Sequence, residues 1–152
     1  MRIALFQPEI AGNVGAVLRL GACMGVAVDL IEPMGFAWDD KRVRRTAMDY
    51  IDHVEVVRHS GFAAFAATIG TARLVLLTTK STTSLYDAAL RGDDILLLGQ
   101  ESAGVPPSVA ATCALAVRVP MRTEVRSLNL ATTAAIALGE ALRQVGGLPP
   151  LA

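Results

Sequence analysis

Six short apolar runs, separated by segments of helical character, constrain the fold of this chain most strongly. The runs are rich in Val, Leu and Ile, and they cover residues 2–6, 26–31, 54–57, 73–78, 95–98 and 116–119. They are continuous rather than alternating with polar residues, which is typical of parallel strands buried on both faces. Strands that alternate with helices form α/β folds. We therefore predict an α/β fold, a mostly parallel sheet with helices on both faces.

The length and composition favour a single domain over residues 1–152. The chain is 53% hydrophobic, has no linker or repeat, and is large enough to bury a core. No apolar run approaches the roughly 20 residues that span a bilayer, and the first strand begins at once, without a signal peptide. Cys23 and Cys113 lack disulfide or metal spacing, so we predict buried, reduced thiols. His53 and His59 are expected at the surface or at caps. Together these features predict a cytoplasmic protein without membrane or metal partners.

A polar loop that leads into the last helix is the most distinctive stretch of the sequence. It follows the sixth strand and carries two arginines, Arg122 and Arg126. Ser127 or Asn129 is the predicted N-cap of the helix that comes next. A helix start offers free backbone N–H groups, which suit an anionic or polar ligand. An ordinary last helix packed on a sheet would account for the same pattern.

Unusual residues follow three predicted strands, over 77–80, 99–104 and 120–129. Ligands of parallel sheets bind beyond the carboxyl ends of the strands. Neither a GxGxxG nor a GxxxxGK[ST] motif occurs, which disfavours dinucleotide and Walker-type phosphate sites. Ser102 does not lie in a G-x-S-x-G elbow. The site is thus rich in glycine and backbone groups, which suits an adenosyl ligand. Its polar side chains are Asn13, which we also predict to cap the first helix, Arg19, Glu101, Ser127 and Asn129.

One basic cluster breaks an otherwise neutral charge pattern. The formal net charge is zero, which argues against binding nucleic acid through bulk charge. The cluster consists of Lys41, Arg42, Arg44 and Arg45. It is either the solvated face of a charged helix or a local patch that contacts phosphates.

Three motifs, in this order, resemble the SPOUT superfamily of RNA methyltransferases. They are PEI…NxGxxxR at residues 8–19, LGxExxGxP at 98–106, and VPM…RSLNL at 119–130. With the segment at 32–42, they resemble one branch most closely. That branch comprises the tRNA 2′-O-methyltransferases that act on the wobble cytidine or uridine of leucine tRNAs. The similarity extends over nearly the whole chain.

The resemblance implies a C-terminal trefoil knot, a homodimer, and S-adenosylmethionine bound by the knot loops. The small residues Ala134, Ala137 and Ala141 of the last helix would permit close helix approach in the dimer. Arg19 would lie beside the target ribose. The catalytic site would be shaped by Asn13, Glu101, Ser127 and Asn129. The cofactor site would be lined, largely through backbone groups, by Leu77, Gly99, Val119, Ser127 and Leu128.

Several points stay open at the level of the sequence. Gln100, Ala131 and Gly139 depart from residues that are common in the superfamily, which are proline, Ser or Thr, and an aromatic residue. An arginine normally stays protonated, so we favour Arg19 as a phosphate anchor over Arg19 as a base. A SPOUT methyltransferase for ribosomal RNA or another tRNA position is one alternative. A non-catalytic RNA-binding dimer is another.

Overall fold

A six-stranded, wholly parallel sheet forms the centre of the computed structural model, which describes residues 1–38 and 48–151. The strand order is β3-β2-β1-β5-β4-β6. The strands are β1 (Arg2–Phe6), β2 (Ala27–Ile31), β3 (Val56–His59), β4 (Leu74–Leu77), β5 (Ile95–Leu98) and β6 (Leu115–Val117). Every strand pair is parallel, so the carboxyl ends of all six lie along one edge of the sheet.

Helices cover both faces of this sheet, which confirms the predicted fold class. The helices are α1 (Ala11–Met24), α2 (Phe62–Ala66), α3 (Pro107–Ala110) and α4 (Leu130–Val145), with 3-10 turns at Met48–His53 and Leu85–Asp87. Leu96 and Leu98 of β5 pack with residues of α1 and α4. Ile95 and Leu97 point the other way, into a cluster with residues of α2 and α3. Both faces of each strand are thus buried, which explains the continuous apolar runs.

The third strand lies two residues later than predicted, at Val56–His59 instead of 54–57. Its last residue, His59, pairs with Ile31 in the sheet and is buried. The His59 Nε2 atom lies 2.8 Å from Asp29 Oδ1, and Arg2 Nε donates to Asp29 Oδ2 at 2.7 Å. The prediction of a surface or capping histidine was therefore wrong for His59. A buried carboxylate supplies the polar partner that lets the ring enter the core.

Helix α1 begins earlier than predicted. Its N-cap is Ile10, so Asn13 lies within the first turn instead of capping it. Asn13 is buried, and its side chain bonds to other parts of the chain. Near the other end of α1, Cys23 is exposed, which corrects the prediction of a buried thiol; Cys113 is half-buried.

In the described ranges, no helix combines the length and apolar character needed to cross a bilayer.

Candidate active site

Three neighbouring strands, β5, β4 and β6, end at the same edge of the sheet. Leu77 is the last residue of β4, Gly99 directly follows β5, and Val119 lies two residues after β6. The register aligns Leu77 with Leu98 and with Val117. The fold therefore brings these three predicted cofactor positions to adjacent strand ends, where ligands of parallel sheets bind.

The loop after β5 is a tight hairpin closed by backbone hydrogen bonds. Gln100 N donates to Gly104 O and Gly104 N donates to Gln100 O, both at 2.9 Å. Gly104 has φ +71°, and a Cβ placed on Gly99 would lie 2.4 Å from the Gly104 carbonyl carbon. Both glycines are thus required by the backbone path, because a side chain at either position would strain it or clash.

The segment after β6 is held on two sides before it opens into a loop. On one side Thr78 N donates to Val117 O at 2.9 Å. On the other, Arg118 N donates to Thr83 O and Leu85 N donates to Arg118 O, at 2.9 and 2.8 Å. Residues 122–129 that follow are exposed, including the predicted site residues Ser127 and Leu128. The end of β6 is thus held in place, and the loop that connects it to the start of α4 is accessible.

Three predicted catalytic residues form one hydrogen-bonded chain that joins the first turn of α1, the loop after β5 and the start of α4. Asn13 Nδ2 donates to Glu101 Oε1 at 2.9 Å. Asn129 Nδ2 donates to Asn13 Oδ1, also at 2.9 Å. Asn129 is the N-cap of α4, and its Oδ1 accepts from the backbone N–H groups of Ala131 and Thr132. Of the two predicted caps, the structure selects Asn129.

The donor-to-acceptor direction of these hydrogen bonds follows from the carboxylate of Glu101. Both Glu101 oxygens accept hydrogen bonds, so the side-chain nitrogen of Asn13, which is the donor, faces this residue. The Asn13 oxygen then faces the Asn129 nitrogen, and the Asn129 oxygen faces the positive end of α4. One carboxylate thereby fixes the orientation of two amides and ties both to a helix start.

Two residues that were not predicted as site residues complete this cluster. Glu9 N donates to the second Glu101 oxygen at 2.8 Å. The Glu9 carboxylate accepts from both the N–H and the hydroxyl of Ser102, each at 2.7 Å. These Ser102 bonds lower the pKa of Glu9, so the carboxylate stays ionised. The PEI motif contains the signal for Glu9, whereas the sequence offers Ser102 only as a candidate nucleophile, which its surroundings disfavour.

Arg19 occupies a different position on α1. It follows Asn13 by six residues, which is about 9 Å along the axis and about a third of a turn around it. Its guanidinium lies over the Tyr50 ring, 4.7 Å from the centroid. The side chain is exposed at the helix surface. Its predicted role beside the target ribose stays a prediction.

The predicted RNA-binding cluster of Lys41, Arg42, Arg44 and Arg45 lies outside the described residues. Within the ranges that are described, no group of three or more His, Cys, Asp or Glu residues is placed to hold a metal ion.

The family model of the SpoU rRNA methylases matches residues 1–139 of the chain. The chain belongs to the SpoU methylase family. This membership confirms the resemblance to the SPOUT methyltransferases and the prediction of a methyltransferase.

The similarity to individual relatives and solved structures covers almost the whole chain. A tRNA (cytidine(34)-2'-O)-methyltransferase of Beijerinckia indica is 53% identical over 148 residues, which is 96% of this chain and 92% of the relative. A solved structure described as "Structural insights into the 2-OH methylation of C/U34 on tRNA" superimposes with a TM-score of 0.91. It is 39% identical and covers 96% of both chains. The SpoU methyltransferase AviRb of Streptomyces viridochromogenes, in complex with AdoMet, shares the fold at a TM-score of 0.86. It is 24% identical, over 95% of this chain and 57% of AviRb.

Proposed function

We propose that the protein transfers a methyl group from S-adenosylmethionine to the ribose 2′-oxygen of the wobble cytidine or uridine of tRNA, with leucine tRNAs as substrates. The observation that carries the proposal is the chain of Glu101, Asn13 and Asn129 at the strand ends, next to the exposed loop 122–129. The 53% identity to a tRNA (cytidine(34)-2'-O)-methyltransferase supports the position on the tRNA.

The cofactor would lie against the ends of β4, β5 and β6. Leu77, Gly99 and Val119 would line it from the strand ends, and Ser127 and Leu128 from the loop before α4. The hairpin fits this role because Gly99 has no room for a side chain and Gly104 has a positive φ that favours glycine, so a ligand would meet bare backbone. S-adenosylmethionine supplies a methyl group already activated on a sulfonium. The protein would therefore contribute mainly alignment of the acceptor oxygen.

The polar chain would serve the substrate side of the reaction. Asn13 and Asn129 are held by Glu101 and the α4 start, so their amides are fixed before substrate arrives. Fixed dipoles require no reorganisation during the reaction. Arg19 would anchor a phosphate of the RNA and thereby hold the target ribose, since its guanidinium forms a rigid fork of donors. Ser127, exposed beside Asn129, would contact the reacting hydroxyl.

We further propose that the C-terminal part of the chain forms a trefoil knot. Support comes from residues 116–118, which bond to β4 on one side and to residues 81–85 on the other. The loop after β4 thus reaches the side of this segment that faces away from β4, as a knot would require. A crystal structure with loop 118–129 passing outside that loop would contradict the knot.

We also propose a homodimer, as the resemblance to the SPOUT methyltransferases implies, with an interface that does not use the alanines predicted for it. Ala134, Ala137 and Ala141 are fully buried in the core of their own chain, so they are not available to a partner. Residues on other faces of α4, including Ala135 and Gly139, remain accessible. Sedimentation equilibrium at micromolar concentration tests this proposal, and a monomer would contradict it.

The decisive experiment for the function is methylation of defined RNAs by the purified protein. Labelled S-adenosylmethionine would be incubated with unmodified transcripts of leucine tRNAs, other tRNAs and ribosomal RNA. Incorporation at the 2′-oxygen of nucleotide 34 in leucine tRNA is expected. Methylation of another tRNA position or of ribosomal RNA would replace the proposed substrate. Binding of tRNA without any methylation would favour the non-catalytic alternative.

A further inference from the structure

Side chains continue the pairing of β1 and β5 beyond the point where the strands end. In the sheet Leu5 pairs with Leu98, an offset of 93 residues. Gln100 Nε2 donates to Gln7 Oε1 at 3.0 Å, and Ser102 bonds to Glu9, both with the same offset of 93. We call these four side chains the clasp.

The clasp replaces a backbone ladder that cannot continue at this point. Gln7 has φ 47°, outside the strand region, and Pro8 has no N–H to donate. On the opposite side, the backbone of Gln100 and Gly104 is used within its own hairpin. The hydrogen bonds that hold the two loops in register here therefore each use at least one side chain. Gln100, which departs from the proline common in the superfamily, supplies one of these links.

The loop that carries Glu9 is fixed from the other side as well. Gly35 N donates to Pro8 O at 2.9 Å, and a Cβ on Gly35 would lie 2.7 Å from the Glu9 Cα. Glu9 is therefore packed between the segment after β2 and the hairpin after β5. A shift of the loop that carries Glu9 would therefore also shift the hairpin after β5.

We propose that Glu9 is a positioning residue for methyl transfer, which holds Glu101 in place through the clasp to Ser102. The Glu101 carboxylate is bonded on one oxygen by Glu9 N and on the other by Asn13 Nδ2. Glu9 and Glu101 thus bind each other's loops reciprocally, and the Asn13–Asn129 pair depends on that arrangement. The inference rests on the proposed function, because Glu101 is assigned to the methyl-transfer site.

The first test compares the single-turnover methylation rates of clasp variants. Glu9→Ala removes the acceptor of both Ser102 bonds and should slow methyl transfer about tenfold to a hundredfold through lost alignment. Ser102→Ala removes one of the two bonds and should slow it only a few-fold. Ser102→Thr keeps the hydroxyl and should restore the parent rate. Glu55→Gln is the control, since Glu55 lies at the opposite edge, where it accepts from Arg2.

A double-mutant cycle separates positioning from a general loss of structure. If Glu9 acts through Glu101, the double variant Glu9→Ala, Glu101→Ala should be no slower than the slower single variant. Single-variant losses that multiply would overturn the proposal. A Glu9→Ala rate within twofold of the parent would overturn it too. If Glu9→Ala does not fold, the contrast between Ser102→Ala and Ser102→Thr decides, and equal rates for the two would overturn the inference.

Amide hydrogen exchange gives a readout that needs no substrate. The Ser102 N–H should exchange faster in Glu9→Ala than in the parent, while Glu55→Gln leaves it unchanged. Unchanged Ser102 exchange in Glu9→Ala would contradict the clasp. A parent protein that methylates no RNA would contradict the proposed function instead, so the two failures are distinguishable.

Discussion

Asn129 donates a hydrogen bond of 2.9 Å from its side-chain nitrogen to Asn13 across 116 positions of sequence. The bond joins the N-cap of the last helix to the first turn of the first helix. Both residues belong to motifs that the sequence alone could not place relative to each other. Their contact organises the candidate site.

Variants of Asn129 should distinguish its role as the cap of α4 from its hydrogen bond to Asn13 in the candidate site. Asn129→Ala loses the cap and the bond to Asn13, so the free energy of unfolding should fall by about 1 kcal/mol and methyl transfer should slow. Asn129→Ser keeps a capping oxygen but is too short to reach Asn13. It should therefore lose rate with little loss of stability, as measured by urea unfolding and single-turnover methylation. Full activity in Asn129→Ser would show that the link to Asn13 is not needed.

Adding a methyl group to Gly99 should weaken cofactor binding. The Cβ of Gly99→Ala would lie 2.4 Å from the Gly104 backbone, so the hairpin must shift. We expect S-adenosylmethionine affinity to fall about tenfold or more, which corresponds to ~1.4 kcal/mol. Titration calorimetry measures it. Gly92→Ala is the matched control, since nothing lies within 4 Å of a Cβ there; equal affinities of the two variants would refute the assignment of Gly99.

Replacing Arg19 should impair chemistry more than cofactor binding. Arg19→Ala should slow single-turnover methylation about a hundredfold or more. Arg19→Lys should be nearly as slow, because lysine keeps the charge but loses the planar fork of donors. Calorimetry should find near-parent affinity for S-adenosylmethionine in both. The exposed Arg91, which precedes β5, gives the control Arg91→Ala. A rate within a few-fold of the parent in Arg19→Ala would move the catalytic role to Ser127 or Asn129.

The basic cluster should contribute to RNA binding through phosphate contacts. The double variant Arg42→Ala, Arg44→Ala should weaken tRNA binding. It should also reduce the slope of log affinity against log salt by about two, one for each lost contact. Filter binding at several salt concentrations measures the slope, with Arg91→Ala as the control. If the slope stays at the parent value, the cluster is only a solvated surface.

The stabilising contribution of Glu140 should be lost over a narrow acidic range. Hydrogen bonds from Arg143 and Gln144 lower the pKa of Glu140 from 4.5 to about 2. The folded protein thus binds fewer protons than the unfolded chain between these two values. The contribution of Glu140 is present above pH 4.5 and is lost as the pH falls toward 2.

Glu140→Gln tests this contribution, because its side chain cannot ionise. The parent should lose more stability than Glu140→Gln between pH 5 and 2, as followed by urea unfolding at each pH. Parallel curves for the two proteins would contradict the lowered pKa.

Local sequence determined the secondary structure where the hydrophobic pattern and the backbone preferences of the residues favoured the same element. The continuous apolar runs of β4 and β5 predicted parallel strands, since only a sheet covered on both faces buries every residue of such a run. Gly146 directly follows the last residue of α4 and adopts the left-handed conformation that commonly ends a helix at a glycine. The motif that contains Asn129 placed the start of that helix.

Polar residues were harder to place because their partners are distant in sequence. His59 was expected at the surface, but Asp29, thirty residues away, allows it to be buried. Asn13 looked like a helix cap, yet it lies within α1, where its amide nitrogen donates to Glu101 and its amide oxygen accepts from Asn129.

The sequence by itself determined an α/β sheet protein, its glycine-bearing loops and the residues that carry its motifs. These properties depend on neighbours within a few positions, through burial, φ preferences and capping. Only the tertiary structure decided that β1 lies beside β5 and that β6 lies between β4 and residues 83–85. The pairing of β1 with β5 sets the offset of 93 residues that brings Glu9 to Ser102, and it also places Glu101 within reach of Asn13. No local pattern encodes such an offset, because it results from how whole strands pack to bury both faces of one sheet.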